Sequence, residues 1–257
     1  MKKQIKIFFT ALMFFTRIPC PKWVDHSEEY LNKSSIYFPF IGWIVGGFSA
    51  LILWLSSFIF PVSVAIIISM ISSILVTGAF HEDGFADVCD GFGGGWTKEK
   101  ILDIMKDSRI GAYGVIGLIL ILGIKFSLLY QIFQPGTWII YIVIIAAHSL
   151  SRFAAASVIY THNYVKENED SKAKPLAKKM SGTELFIAGI FGLLPLFLFS
   201  DYIFLLIIIP VFLARFYLTF YFKKWIGGYT GDCLGAVQQV TEIVFYLSVN
   251  VVIWKYF

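Results

Sequence analysis

Charged residues are scarce in this sequence: Asp, Glu, Lys and Arg make up 15% of its 257 residues, whereas a soluble domain carries about a quarter. Hydrophobic residues reach 58%, and several apolar runs approach the ~20 residues that a helix needs to cross a bilayer. The runs do not alternate as the strands of a transmembrane barrel do. The composition therefore predicts an all-α, polytopic membrane protein in contact with a lipid bilayer, with no nucleic-acid partner.

Cysteine is also rare, with Cys20, Cys89 and Cys233 as the only three in the chain. Their number and spacing provide neither an even disulfide framework nor a CxxC pair. We expect reduced thiols that are buried or face the cytosol.

The N-terminus lacks the small-residue cleavage site of a secretory signal peptide, although it has a basic start and a short apolar core. Arg17 and Pro19 follow the core instead, and its apolar run, 7–15, is too short to span a bilayer. We expect residues 1–35 to form a retained cytosolic or interfacial segment.

The apolar runs predict about seven transmembrane helices in one integral-membrane domain, 1–257, without a linker or an internal repeat. The predicted spans are 36–60, 61–80, 110–133, 137–160, 183–200, 202–222 and 237–256. The second helix is expected to continue beyond the lipid to Asp90 and to stop at Gly91.

Positive charge predicts the orientation of these spans. With the N-terminus in the cytosol, nearly all Lys and Arg residues outside the spans lie on the cytosolic side, and only Lys255 lies opposite. Three polar loops, 81–109, 161–182 and 223–236, then meet at the cytosolic face. We therefore expect a bacterial or archaeal cytoplasmic (inner) membrane protein with a cytosolic-face active site.

An acidic helical face is the first candidate site. Asp83, Asp87 and Asp90 have i, i+4, i+7 spacing, which places them within about 60° of each other on a helix. Stacked carboxylates repel one another unless a cation lies between them, and Mg²⁺ prefers carboxylate oxygens. The sequence predicts Asp83, Asp87 and Asp107 as metal ligands, rather than a merely solvated acidic face.

Other residues beside this face have several interpretations. Glu82 adds a charge next to the predicted metal site, and we expect its identity to be functionally neutral. His81 is interpreted as structural. Lys125, inside a predicted span, is interpreted as a side chain that snorkels to the interface.

A glycine-rich loop before the last span is the second candidate site. Gly228, Thr230 and Gly231 precede a helix whose free N–H groups and positive dipole end suit a phosphate. Asp232 and Glu242 follow in the same helix, and an unpaired carboxylate at the depth of Glu242 is costly.

Basic residues from three segments are candidate phosphate partners: Lys106, Arg109, Arg152 and Lys174. Arg152 lies inside a predicted span, where a purely structural role is the alternative. The loop that contains Lys174 is otherwise a solvated segment or an anionic-lipid contact.

Several stretches resemble the adenosylcobinamide-GDP ribazoletransferase (cobalamin synthase) family, in order along almost the whole chain. They are FFTRIPCP (14–21), YFPFIGWIVG (37–46), TGAFHEDGFADVCDGFGGG (77–95), EKILDIMKDSRIGAYGVIG (99–117), SRFAAA (151–156), SKAKPLA (171–177) and GGYTGDCLGAVQQVTE (227–242). The two aspartate–glycine motifs are highly specific when they occur together. The chain departs from the family pattern at Glu82, where an apolar residue is expected before Asp83, and we expect this variation to be neutral.

The resemblance implies a Mg²⁺-dependent phosphotransferase. A ribose hydroxyl of α-ribazole, or of its 5′-phosphate, would attack the adenosylcobinamide-GDP phosphorus nearer the cobinamide and release GMP. Asp90 is the predicted general base, with Asp232 or Glu242 as alternatives, and Asp232 is also predicted to complete the metal site. The predicted partners are these two substrates and the bilayer, with a homo-oligomer left open.

Three alternatives stay open on the residues alone. The aspartate motif is also similar to that of CDP-alcohol phosphotransferases, which make lipids, although their alanine–arginine pair and regular spacing are missing. An aspartate-rich intramembrane prenyltransferase is the second alternative. An ion-coupled transporter is the third, and it predicts polar residues at the membrane midplane in broken helices.

The charge asymmetry predicts the result of topology mapping. Reporters fused after Lys174 and Lys224 should be active only as cytosolic reporters, because the basic loops are retained inside, and a fusion after Gly136 should report the outside. Alkaline phosphatase activity at Lys174 would contradict this orientation.

Overall fold

The computed structural model describes residues 2–24, 27–165 and 179–256, and these residues confirm the all-α prediction. The helices are α1 (Lys2–Phe15), α2 (Glu28–Ser34), α3 (Phe38–Ser57), α4 (Val62–Thr77), α5 (Phe80–Gly94), α6 (Lys98–Met105), α7 (Ala112–Ile132), α8 (Ile139–Thr161), α9 (Gly182–Leu193), α10 (Ile208–Ile226) and α11 (Gly231–Tyr256). Short 3₁₀ segments occupy Ser35–Tyr37, Leu194–Leu198 and Tyr202–Ile207.

Five predicted spans correspond to helices that are long and apolar enough to cross a membrane. They are Glu28–Ser57, Ala112–Ile132, Ile139–Thr161, Tyr202–Ile226 and Gly231–Tyr256. A multi-pass membrane protein follows from them. Within the described residues the count is five, or six if α4 and α5 form one broken span, which is below the seven predicted. The predicted span 183–200 corresponds to a shorter apolar helix, Gly182–Leu198.

The chain bends sharply between α4 and α5, so the prediction that the second helix runs on to Asp90 is wrong. Gly78 and Ala79 adopt left-handed backbone angles, with φ of 67° and 59°, and the two helix axes differ by 89°. A left-handed residue ends a helix because its carbonyl and amide no longer align with the preceding turn. Helix α5 contains four carboxylates, which are unfavourable in lipid. The bend allows α5 to lie outside the apolar layer that α4 occupies.

Helix α8 is the centre of the bundle, and α3 packs closely against it. Gly42 and Gly46 of α3 face its backbone, and a Cβ built on Gly46 would lie 2.9 Å from the Cα of Ile145. A Cβ on Gly42 would collide with the carbonyl of His148. Small residues at such crossings let two backbones approach, which is how helices associate in a lipid where apolar burial gives no net drive.

Two outer helices, α7 and α10, expose large apolar side chains. Ile119 and Leu120 of α7 are each about two-thirds exposed, as are Leu213 and Phe220 of α10. Such continuous exposure is unusual for a soluble monomer and is the ordinary condition of a lipid-facing surface.

Helix α1 has 14 residues, too few to span a bilayer, and it packs onto the core of the bundle. Ile7 and Ala11 are buried, and the ring of Phe15 stacks on Phe38 at 4.3 Å. The N-terminal segment is therefore part of the folded unit.

The α3–α8 crossing gives a stability prediction with an internal control. Gly42→Ala should lower the unfolding temperature, because the added methyl meets fixed backbone and overpacking costs about 1–3 kcal/mol. Gly47→Ala should be neutral or slightly stabilising, since a Cβ there meets nothing within 4 Å and Ala favours a helix. Thermal melts of both variants in detergent test this; equal melting temperatures would show that the crossing is not tight.

Candidate active site

The acidic face of α5 runs from the surface into the protein. Asp83 is exposed, Asp87 is partly buried and Asp90 is buried. Burial and, to a smaller extent, the negative charges of Asp83 and Asp90 together raise the pKa of Asp87 to about 6. A carboxylate held under these conditions is stabilised by an added cation, so Asp83 and Asp87 keep the properties expected of a metal-binding pair.

Helix α11 begins against this face. A Cβ on Gly84 would lie 2.9 Å from the Cα of Asp232, and a Cβ on Gly235 would lie 3.1 Å from the carbonyl oxygen of His81. The two helices thus cross with glycine on both sides, and the backbone of Asp232 packs against Gly84, the residue that follows Asp83. The structure brings together the two aspartate–glycine motifs that are 150 residues apart in the sequence.

The carboxylate of Asp90 is occupied by structural hydrogen bonds. The backbone N–H of Gly111 donates to Oδ2 at 2.7 Å, and that of Gly114 donates to Oδ1 at 2.8 Å. Asp90 therefore caps the N-terminus of α7 from another helix, and both oxygens are engaged. This geometry does not favour the predicted role of Asp90 as general base. Gly111 and Gly114 leave the room that the carboxylate fills.

The predicted metal ligand Asp107 and the predicted phosphate ligand Arg109 pair with each other. Arg109 Nη2 lies 2.7 Å from Asp107 Oδ2, and its Nε and backbone N–H both donate to Oδ1 at 3.0 Å. These hydrogen bonds lower the pKa of Asp107 to about 2. In the described parts of the chain, no three His, Cys, Asp or Glu side chains are arranged to hold a metal ion. The predicted three-aspartate set is therefore not preassembled.

The glycine-rich loop is held rigidly before α11. The N–H of Tyr229 donates to the carbonyl of Asn163 at 3.1 Å, and the N–H of Val165 donates to the carbonyl of Tyr229 at 2.8 Å. Gly228 is required because a Cβ there would collide with the Asn163 carbonyl. These contacts join the residues after α8 to the loop before α11. Of the predicted polar loop 161–182, only the described residues at its two ends can be placed, and its first residues contact this loop.

Thr230 and Gly231 have different environments at the start of α11. The buried hydroxyl of Thr230 accepts from the N–H of Cys233 at 3.3 Å, which is the ordinary role of an N-cap. Gly231 is exposed, and a Cβ there meets nothing within 4 Å. Any phosphate contact at this end of α11 would thus use exposed backbone near Gly231 in preference to the Thr230 hydroxyl.

Arg152 is buried at 1% exposure, in line with the structural alternative. Its Nη1 lies 2.9 Å from the carbonyl of His148 and 3.0 Å from the Nδ1 of the same residue. The guanidinium also lies over the ring of Phe38, 5.6 Å from its centroid. This position does not favour contact with a phosphate at the surface. Lys106 is exposed beside the α6–α7 turn, and Lys174 lies outside the described residues.

Glu242 and Lys125 form a buried ion pair, with 2.6 Å between Nζ and Oε1. Gln238 donates to Glu242 Oε2 at 2.6 Å, and the hydroxyl of Tyr246 donates to Oε1 at 3.2 Å. The expectation that Lys125 snorkels is wrong, because only 4% of the residue is exposed. Since Glu242 is 1% exposed and fully engaged, the structure does not favour it as a base. Opposite charges in two apolar spans were the available sequence signal for this pair.

Together, the fold and the site define a polytopic, all-helical membrane protein with a carboxylate- and glycine-rich site where α5 crosses α11. The chain belongs to the cobalamin-5-phosphate synthase family, whose model matches residues 7–250. This membership makes it a transferase of cobalamin biosynthesis. It confirms the family to which the sequence motifs pointed.

Curated relatives cover nearly the full length of both chains. A protein of Shewanella amazonensis is 46% identical over 255 residues, which is 99% of this chain and 98% of the relative. One of Shewanella frigidimarina is 44% identical over 247 residues, with 96% and 95% covered. One of Leptospira interrogans is 46% identical over 251 residues, with 95% and 94% covered. Each is named adenosylcobinamide-GDP ribazoletransferase. No solved structure matches the chain.

The buried pair gives a prediction that separates a structural from a catalytic role of Glu242. Lys125→Met or Glu242→Gln alone should reduce the free energy of unfolding, because removing one partner of a buried pair costs about 3–5 kcal/mol. The double variant should recover most of the loss, since no unpaired charge remains.

Thermal melts of the two single variants and the double variant measure this. The exposed Lys33–Glu29 pair, at 2.9 Å, is the control: Lys33→Met should leave the melting temperature nearly unchanged, because solvent screens exposed ion pairs. A Glu242→Gln protein with wild-type stability and no turnover would instead support a catalytic role.

Proposed function

We propose that this chain transfers the adenosylcobinamide-phosphate group of adenosylcobinamide-GDP to α-ribazole or its 5′-phosphate. A ribose hydroxyl oxygen forms the new P–O bond at the phosphorus nearer the cobinamide. The bond from that phosphorus to the oxygen of GMP breaks, and the hydroxyl proton passes to a carboxylate. The observation that carries this proposal is the full-length similarity to relatives named adenosylcobinamide-GDP ribazoletransferase. In addition, the two aspartate–glycine motifs of this chain meet at one helix crossing.

Asp83 and Asp87 are the proposed Mg²⁺ ligands. Their oxygens suit a hard cation, and a bound cation would offset the burial and the neighbouring negative charges that raise the pKa of Asp87. A site with two carboxylates suits Mg²⁺, which is usually held by one or two carboxylates together with substrate phosphates and waters. The absence of a three-ligand cage among the described residues agrees with such a substrate-shared site. When bound, Mg²⁺ would neutralise the pyrophosphate and stabilise the departing GMP.

Asp232 is the proposed general base. It is partly buried, and its backbone packs against Gly84 of α5, the residue that follows Asp83. Its position at the start of α11 also places it beside the backbone that Gly231 leaves open. A carboxylate there can accept the hydroxyl proton while Asp83 and Asp87 bind the metal.

Lys106 and Arg109 are the proposed phosphate partners, because both lie at the exposed turn between α6 and α7. Arg109 would exchange its present pair with Asp107 for a substrate phosphate, and an exposed pair of this kind is weak. Lys174 stays a proposed partner on its sequence alone.

We further propose a bacterial or archaeal cytoplasmic membrane location, with the N-terminus and the site on the cytosolic side. The positive-inside asymmetry supports this orientation. A transporter would also use buried charges and a bent helix pair, both of which the structure contains. The full-length relatives favour the enzyme.

The proposed activity is tested by GMP release from adenosylcobinamide-GDP by purified protein. We expect release that depends on both α-ribazole and Mg²⁺, with loss of turnover in EDTA. Release without acceptor, or full activity without divalent metal, would contradict the proposed reaction or the proposed metal.

The residue roles give a separate prediction. Asp83→Asn and Asp87→Asn should abolish turnover at ordinary Mg²⁺, because each removes a ligand charge. Asp232→Asn should lower kcat by about 10²–10⁴-fold with little change in KM for the donor, since a general base acts in the transition state. Asp103→Asn, an exposed acid of α6, is the control and should stay active. An active Asp83→Asn, Asp87→Asn double variant would reject the metal site.

A further inference from the structure

We propose that Glu82 and Gln239 are positioning residues: their hydrogen bond fixes the rotation of α5 so that Asp83 and Asp87 stay on its accessible side. Gln239 Nε2 donates to Glu82 Oε1 at 3.1 Å and so connects α11 to α5. This inference rests on the proposed metal pair, and it replaces the expectation that Glu82 is neutral.

The crossing of α5 and α11 needs such a contact because its centre is smooth. Gly84 and Gly235 face each other across it, and a Cβ on Gly235 would lie 3.5 Å from the Cα of Gly84. Glycine surfaces allow close approach but have no side chain to set the angle of one helix about its own axis. A directional hydrogen bond beside the crossing supplies that restraint.

The rotation of α5 decides which acid is accessible. Glu82 is 8% exposed, while the next residue, Asp83, is exposed. Consecutive helical residues differ by about 100° in direction, so a rotation by one position would turn Asp83 towards α11. The bond that keeps Glu82 inside therefore keeps Asp83 outside.

Gln239 is held in place by a chain of hydrogen bonds and one ion pair that leads to two other helices, α8 and α7. Its Nε2 also donates to Gln238 Oε1 at 2.9 Å. The Nε2 of Gln238 donates to Glu242 at 2.6 Å and to Ser151 of α8 at 3.1 Å. Glu242 in turn pairs with Lys125 of α7. These contacts thus fix the rotation of α5 relative to α7 and α8.

Burying the carboxyl group of Glu82 is energetically unfavourable, which argues against a role that consists only of filling space. Its Oε2 is buried without a hydrogen-bond partner among the described residues. An apolar side chain of similar size would fill the same space without burying a polar oxygen. The hydrogen bond that Oε1 accepts from Gln239 gives the buried acid a role that an apolar side chain lacks.

The test measures metal binding directly. Electron paramagnetic resonance counts free Mn²⁺ during titration of the purified protein with saturating GDP, which supplies a diphosphate. Glu82→Leu and Gln239→Leu should each raise the half-saturating Mn²⁺ concentration roughly tenfold, as loss of a supporting contact to metal ligands commonly does. The double variant should be no weaker than either single one, because both remove the same bond.

Two controls separate positioning from general stability. Glu82→Gln keeps an oxygen that accepts from Gln239, so it should restore wild-type Mn²⁺ binding. Asn250→Leu removes a partly buried amide of α11, which donates to the carbonyl of Leu128 at 3.3 Å. It should lower the melting temperature without changing Mn²⁺ binding.

Unchanged Mn²⁺ binding in both Leu variants would overturn the proposal, as would a Glu82→Gln variant that is as weak as Glu82→Leu. If Glu82→Leu does not fold, Gln239→Leu decides. Failure of the proposed function is visible separately, as wild-type protein that binds Mn²⁺ but releases no GMP.

Discussion

The close crossing of α5 and α11 is the contact on which the site depends. Only glycine at Gly84 and Gly235 lets the two backbones approach so closely, and this approach places Asp232 beside the aspartates of α5. The left-handed pair at Gly78 and Ala79 makes the crossing accessible, because it turns α5 by 89° from the direction of α4. The acidic helix can therefore lie at the polar end of the bundle while its predecessor stays in the apolar layer.

The charged side chains of this protein differ in burial, and their roles differ accordingly. Lys125 and Glu242 pair inside the spans, where an unpaired charge is unfavourable. Tyr246 donates to the same Glu242 oxygen as Lys125, and Gln238 donates to the other oxygen. Asp90 uses its charge to cap α7. Asp83, Asp87 and Asp232 lie at the crossing. Acids that look alike in the sequence therefore have three different environments: a buried ion pair, a helix cap and the crossing.

The sequence predicted the fold class and the main site segments for clear reasons. Long apolar runs require helices in a bilayer, and the i, i+4, i+7 spacing of Asp83, Asp87 and Asp90 follows from helical periodicity. It did not predict the break after α4, because Ala79 rarely adopts a left-handed conformation and carries no signal for one. The roles predicted for Asp90, Arg152 and Lys125 rested on residue type alone. Their burial and their partners depend on other segments of the chain, which the sequence pattern does not show.

The amino-acid sequence by itself determined that this is a helical membrane protein of the cobalamin-5-phosphate synthase family with acidic, glycine-rich motifs. Composition, periodicity and motif spacing are local properties of the chain, so they can be read directly. Only the tertiary structure decided which acid caps a helix, which forms an ion pair and which stays accessible. These outcomes depend on contacts between residues as distant as Glu82 and Gln239, whose chemistry is set by the neighbours that folding brings to them.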